Sequence, residues 1–240
     1  MTLVTDAAGL DLARLLRPGD RIVMGQACGE PTTLVEALIA QGKDIGGLSA
    51  FIATSFSGLF TPGTAASFAL SSMGAIGALR GMTKAGKLAV IPAHVSQIGP
   101  MITAGIIGCD VAFIQVSPAD ENGNHSCGLI SDHVRAAVDR ARVVIAEVNE
   151  QVPHTPGETI PAASIDVAVQ VSRAPVEVPA GRISETDQAI ARHCAAYIGD
   201  GSVIQTGVGA VPDAILRLLH DRKDLGVHSV DAQLRRDEHG

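Results

Sequence analysis

The chain has 240 residues, enough for one or two domains and for a core that needs no disulfide or metal staple. Hydrophobic residues make up 46% and charged residues 18%, which excludes intrinsic disorder; with 2% aromatics and 26 glycines, the composition suits buried parallel strands packed closely against helices. The net charge of -7, with no basic and aromatic-studded stretch, argues against nucleic acid as a partner.

The amino terminus, Met1 to Gly19, mixes Asp6, Asp11, Arg14 and Arg17 with apolar residues and has no basic-then-apolar leader. Arg21 to Met24 reads as a short strand ended by Gly25. Thr32 to Gln41 reads as a helix, with Thr33 and Glu36 as a capping box and Gly42 as its stop. Ala50 to Thr54 is a candidate second strand. Leu88 to Ile91, before Pro92, is an apolar run expected as a buried strand, and Asp110 to Val116 is another. Asp120 to Cys127 is turn-rich. Ser131 is placed to cap a helix with Val134, Ala137, Val138 and Ala141 on one face. Val143 to Val148 is the next buried strand. Pro153 to Arg182 carries Pro153, Pro156, Pro161, Pro175 and Pro179 and reads as an excursion followed by a linker. A new unit then opens with Ser184 and Asp187 on a helix, a strand at Ser202 to Thr206, and a helix led by Pro212. The alternation predicts an α/β fold: a mostly parallel sheet flanked by helices, followed by the start of a second α/β unit.

No Asp, Glu, Lys or Arg occurs from Ile45 to Leu79 or from Leu88 to Cys109. Ser, Thr, Gly and Pro interrupt both stretches, so they are expected as buried or interfacial segments and not as membrane spans. Cys28, Cys109, Cys127 and Cys194 are scattered and form no CxxC pair. This points to a reducing, cytoplasmic setting and away from zinc.

Three constellations could carry chemistry. Gly25-Gln26-Ala27-Cys28-Gly29-Glu30-Pro31 lies between a strand and a helix start. Its glycines would let backbone N–H groups approach an oxyanion, or the stretch is an ordinary turn. Cys28 is either a reactive thiol near a helix start or a small buried filler. In Ser117 to Gly128, Asp120, Glu121 and His125 are either acid/base groups or members of a solvated turn. Gln205-Thr206-Gly207-Val208-Gly209 opens like a dinucleotide fingerprint but runs into Pro212 and Asp213. The carboxylate in the first helical turn competes with a phosphate, so a thioester or the thin arm of a larger cofactor fits better than a dinucleotide. No G-x-S-x-G elbow, Walker A or H-E-x-x-H motif occurs. His94 is expected at the edge of the core, His193 and His220 on the surface.

Arg21 to Gly25 with Gly29 to Leu38, Asp110 to Pro118 with Asp120, Gly123, Cys127 and Gly128, Ile145 to Pro153 with Gly157, and Gln205 to Leu216 with Lys223 to Ser229 together resemble the acetyl-CoA hydrolase / 4-hydroxybutyrate CoA-transferase family, in order from about Gly19 to Ser229. The resemblance implies a class I CoA-transferase of two related α/β domains. It also implies transfer of CoA from an acyl-CoA such as acetyl-CoA to a small carboxylate such as acetate or 4-hydroxybutyrate. A glutamate attacks the thioester and passes through an anhydride to a glutamyl-CoA thioester. Some relatives hydrolyse the thioester instead. The implied CoA and substrate contacts are Gln205, Thr206, Gly207, Val208, Gly209, Gly29, Glu30 and Pro31. CoA enters as a substrate thioester and no resident cofactor is expected. On this reading residues 1–182 form the N-terminal domain and 183–240 begin a truncated C-terminal domain. Expected partners are the acyl-CoA and carboxylate, with a second copy or a complementing C-terminal half, and no membrane.

Two departures stand out. Gln97 occupies a position where the family usually has Glu. In the family, His-Ser is followed by the catalytic glutamate; here His228-Ser229 is followed by Val230, so the chain alone is expected to be inactive. The tail from Val230 to Gly240 has no family likeness. A non-catalytic binding or assembly module, one half of a split transferase, and an acetyl-CoA hydrolase are the alternatives.

Overall fold

The computed structural model describes residues 3–178 and 181–227. The chain divides into two compact units, Met1–Val178 and Pro179–Gly240. In chain order the first unit has β1 (Leu3–Thr5), β2 (Arg21–Met24), α1 (Thr32–Ile45), β3 (Ser49–Phe51), β4 (Ala69–Ser72), α2 (Leu79–Lys84), β5 (Leu88–Val90), α3 (Val95–Thr103), β6 (Val111–Val116), β7 (Asn124–Ser126), α4 (Val134–Arg140), β8 (Val143–Asn149), β9 (Thr159–Pro161) and β10 (Val167–Val171).

One sheet of eight strands runs β1-β10-β8-β6-β2-β3-β4-β5, every neighbouring pair parallel. The expected α/β class is what the chain adopts. Both faces of the sheet are covered, as an all-parallel sheet requires. Successive residues of β6 serve opposite faces: Val111 and Phe113 pack with α1 and α2, while Ala112, Ile114 and Val116 pack with α3 and α4. The whole of β6 is buried, which explains why its sequence is apolar on both faces apart from Gln115, whose side chain is hydrogen-bonded.

Several local expectations need correction. Gly42 does not stop α1, which continues to Ile45 and ends at Gly46 with φ +83°. Gly42 is instead a packing residue: a Cβ there would stand 3.3 Å from Leu38 Cδ1 and 3.4 Å from the Ser67 carbonyl oxygen. The Thr33/Glu36 capping box does not form. The Thr33 N–H donates to Glu147 Oε2 at 2.8 Å, and Glu36 pairs with Arg173. Ser131 does not cap α4; His133 precedes that helix without a side-chain cap. Leu88 to Val90 is a strand, but it is the sheet's edge, and Val90 is 45% exposed. The proline-rich stretch from Pro153 to Arg182 is more than a linker. It holds β9, which pairs with β7, and β10, which joins the main sheet between β1 and β8.

The second unit contains α5 (Glu185–Ala195), β11 (Val203–Ile204), α6 (Ala210–Leu218) and β12 (Gly226–Val227). Ser184 caps α5 in a reciprocal box with Asp187, as its sequence predicts. β11 and β12 pair in parallel. No helix among the described residues is long and apolar enough to cross a membrane.

Candidate functional site

From β2 the chain steps outward through β3 and β4 to β5, then returns to β6 on the other side of β2 and steps away through β8 and β10. The winding direction therefore reverses between β2 and β6. In open parallel sheets, ligands collect beyond the carboxyl ends of the strands at such a reversal. The Gly25 to Pro31 loop leaves β2 there, and the Ser117 to Gly128 segment leaves β6.

The first loop folds tightly on itself. Gly25 N–H donates to the Phe113 carbonyl (2.9 Å), Ala27 N–H to Thr54 (3.0 Å), Gly29 N–H to Gln26 (2.8 Å) and Glu30 N–H to Ala27 (3.2 Å). These amides are consumed within the protein, so they are not aimed at an oxyanion. The glycines answer to packing: a Cβ on Gly25 would lie 2.4 Å from the Gly29 carbonyl oxygen, and one on Gly29 would lie 2.6 Å from Ile130 Cγ2. Cys28 is half-buried. Gln26 Nε2 donates to Asp132, and the buried His133 donates from Nε2 to the Met24 carbonyl at 2.9 Å. Burial pushes the His133 pKa below the usual histidine range, so its imidazole acts as a neutral donor.

Glu30 turns its side chain inward and is fully buried. Ser57 donates to Oε1 at 2.5 Å and Ser55 to Oε2 at 2.8 Å. Glu147, on β8, is also fully buried. Its Oε2 accepts the Thr33 N–H at the start of α1, and its Oε1 is buried without a hydrogen bond among the described residues. Burial raises both carboxyl pKa values above the usual glutamate range; the two serines hold Glu30 back, as the Thr33 N–H does Glu147.

A polar chain links the strand ends. Gln115 on β6 donates to the Cys28 carbonyl at 3.0 Å. Asn149 at the end of β8 donates to Gln115 Oε1 at 3.1 Å and to the Arg173 carbonyl at 2.8 Å. Arg173, just past β10, grips Glu36 through two N–H···O bonds of 3.1 and 3.2 Å and reaches Thr33 Oγ1 at 3.2 Å. A cleft of about 370 Å³ opens beside this network, lined by Thr32, Glu36, Phe56, Ser57, Leu59, Arg173, Ala174, Val176 and Glu177. Ser57 thus touches both the buried Glu30 and the cleft.

The second segment supplies structure in place of acid/base groups. The Asp120 carboxylate accepts N–H groups of Asn122 (2.9 Å) and Asn124 (2.8 Å), and the Asn124 bond leads the effects that lower its pKa. His125 is buried and bonds the Ser117 carbonyl at 2.8 Å, while Glu121 is exposed. Among the described residues no hydrogen bond links these three side chains, and the solvated-turn reading describes Asp120. His94 is exposed at the start of α3, where the Gln97 side chain accepts its N–H, so it is not a core-edge residue. His193 and His220 are exposed on the surface.

In the second unit, Gln205 to Gly209 connect β11 to α6. Gly209 has φ +133°, a backbone state that favours glycine. A Cβ on Gly207 or Gly209 would meet nothing within 4 Å, so neighbouring atoms do not demand these glycines. Val208 is 65% exposed. Asp213 stands in the first turn of α6. The candidate groups around Glu30 and around Gly209 therefore belong to different units. Val230, Asp231 and Glu238 lie outside the described residues.

Residues 7–179 match the acetyl-CoA hydrolase/transferase N-terminal domain. This chain belongs to that family. It is 33% identical over 212 residues to a 4-hydroxybutyrate coenzyme A transferase from Clostridium kluyveri, covering 87% of this chain and 49% of that one. It is 25% identical over 225 residues to a succinyl-CoA:cyclohexane-1-carboxylate CoA transferase from Geobacter metallireducens, covering 92% and 51%. The crystal structure of RipA from Yersinia pestis superposes with TM-score 0.85 at 26% identity, over 95% of this chain and 56% of that one. The chain spans about half the length of the curated relatives it matches.

Within this family member, sequence reasoning missed Ser55, Ser57 and Arg173, and it read Glu147 as part of a motif without a task. The available signal for Glu147 was a lone charge in the apolar run Val143 to Val148, which in a buried strand demands a specific partner.

Proposed function

We propose that this chain handles CoA thioesters in the manner of CoA transfer between an acyl-CoA, such as acetyl-CoA, and a small carboxylate, such as acetate or 4-hydroxybutyrate. The observation that carries the reading is the 33% identity to a 4-hydroxybutyrate coenzyme A transferase across 87% of the chain. Gln205, Thr206, Gly207, Val208 and Gly209 are the proposed CoA contacts. The support is a bare, exposed glycine turn that no packing atom explains. Glu30 is proposed to act on the cleft through Ser57, with Gly29 and Pro31 shaping its loop.

We further propose that the covalent step does not occur on this chain by itself. Valine at position 230 has no oxygen to attack a thioester, so neither an anhydride nor a glutamyl thioester can form there. Asp231 is displaced by one residue, which in a strand turns its side chain to the opposite face. Loss of a covalent nucleophile costs on the order of 10⁶-fold in rate where it has been dissected. The test is incubation of purified chain with acetyl-CoA and isotopically labelled acetate, following acyl exchange and release of free CoA. The expected result is CoA binding without exchange. Turnover that disappears on Asp231→Asn or Glu238→Gln would overturn the inactive reading, and release of free CoA without exchange would identify a hydrolase.

A further inference from the structure

In the second unit, α5 and α6 pack against each other and leave a cleft of about 410 Å³ between them. Arg192 on α5 and Arg217 on α6 both line it, with the Gln188 amide and an apolar floor that includes Ile183, Ala214 and Leu218. Neither arginine makes an ion pair among the described residues. Arg14, Arg21, Arg135, Arg142, Arg173 and Arg222 each sit against a carboxylate, whereas Arg17, Arg80, Arg140 and Arg182 share with this pair the lack of an ion pair among the described residues. The acidic groups nearest in sequence do not neutralise the pair. Asp187 is engaged by Ser184 at the start of α5, Asp221 pairs with Arg222, and Asp213, one turn before Arg217, forms no ion pair with it among the described residues. Each arginine lies in the last turn of its helix, where a cation favours the helix dipole. That explains a cation at each helix end, but not why both open onto one shared cleft.

We infer that this cleft docks a phosphate group, with Arg192 and Arg217 supplying the charge. Guanidinium groups match phosphate oxygens through paired N–H donors, and two that line one cleft without a carboxylate partner leave positive charge there for an anion to balance. The apolar floor suits the organic part of the ligand. A phosphate here could belong to CoA itself, which would deepen the proposed function and rests on it, or to free phosphate. Arg217 lies eight residues beyond Gly209, roughly 12 Å along a helix, so one extended thioester ligand could reach both the glycine turn and the cleft.

The experiment is titration calorimetry of the full chain at low salt with inorganic phosphate, adenosine 3′,5′-bisphosphate, CoA and pantetheine. Wild type is expected to bind CoA and the bisphosphate. The double variant Arg192→Ala/Arg217→Ala should weaken both at least tenfold, because it removes the charged hydrogen bonds to phosphate, and should leave pantetheine unchanged. Both arginines are exposed, so circular dichroism should report an intact fold. Lys223→Ala removes an exposed cation that does not line the cleft and should leave affinity within about twofold; an equal loss there would mean non-specific charge attraction and would overturn the inference. Unchanged affinity in the double variant, or no binding of any phosphate compound, would also overturn it. Arginine-dependent binding of bisphosphate without binding of CoA would support the cleft and refute the CoA reading. Binding of inorganic phosphate as tight as that of the bisphosphate, still arginine-dependent, would support the cleft and identify free phosphate as the source.

Discussion

Replacing Ser55 by alanine tests the Glu30 network directly. Ser55 is fully buried and its hydroxyl donates to Glu30 Oε2 at 2.8 Å. Its carbonyl, which accepts the Ala78 N–H at 2.9 Å, is untouched by the change. The loss depends on the protonation of Glu30. A hydrogen bond to a neutral carboxyl is worth about 0.5–1.5 kcal/mol, and one to a carboxylate about 1.5–3 kcal/mol. Burial raises the Glu30 pKa in the folded chain. A carboxyl with a raised folded pKa binds more protons folded than unfolded, so its contribution is fully present below the ordinary glutamate pKa and is lost as pH rises through the folded value. Removing Ser55 takes away a bond that favours the charged form, so it raises that folded pKa further. The variant therefore loses more stability on the alkaline side. Urea unfolding at pH 5 and pH 8 should show a gap to wild type that widens with pH, reaching about 2 kcal/mol, or roughly a 1 M shift of midpoint at a slope near 2 kcal/mol/M. Hydrogen exchange over β2 and β3 assigns the loss to the first unit. A gap that is constant or shrinks towards pH 8 would refute the idea that Glu30 is a buried, serine-held carboxylate.

Gly25→Ala places a Cβ 2.4 Å from the Gly29 carbonyl oxygen and should cost about 1–3 kcal/mol by overpacking; an unchanged urea midpoint would show that the loop has room to move. Gly209→Val should abolish CoA binding in calorimetry without lowering the melting temperature by more than a few degrees, since a β-branched residue resists φ +133° but meets no neighbour. Tyr197, Val203 and Val208 are 90%, 76% and 65% exposed, so the isolated chain should self-associate; a monodisperse monomer in light scattering at high concentration would contradict this.

Much of the fold could be read where one force acted alone. β6 and β8 announce themselves as apolar runs because both of their faces are covered. The Ser184 cap is legible because its partner, Asp187, is three residues away. Two of the failures share a cause: a distant residue takes the place of a local one. Thr33 and Glu36 have the spacing of a capping box, but Glu147 reaches in from 114 residues away to hold the Thr33 N–H, and Arg173 claims Glu36. Gly42 looks like a helix stop, yet the chain at Ser67 presses close enough to make it a contact residue. β10 hides behind prolines because these lie outside the strand itself, where they remove no ladder hydrogen bond.

The same reasoning separates what was legible at the candidate site from what was not. The loop after β2 could be found because glycines mark a close approach; that Gly25 meets the Gly29 carbonyl within the same loop, and Gly29 meets Ile130 from a distant segment, was not legible. Glu30 could be read as part of that loop and as a contact implied by the family resemblance. Its burial depends on Ser55 and Ser57, which sit in a charge-free stretch that reads as featureless apolar chain. Gln115, Asn149 and Arg173 come from three successive strand ends and meet only because the sheet is parallel and the chain reverses direction between β2 and β6. The Gly207 and Gly209 turn follows the opposite logic. No neighbour requires a bare surface there, and only Gly209 is required by its own φ. A glycine that neither packing nor backbone angle demands is the sharper candidate for a functional role; Gly81, Gly199 and Gly207 all meet that test among the described residues, and of the three Gly207 lies in the proposed CoA-contacting turn.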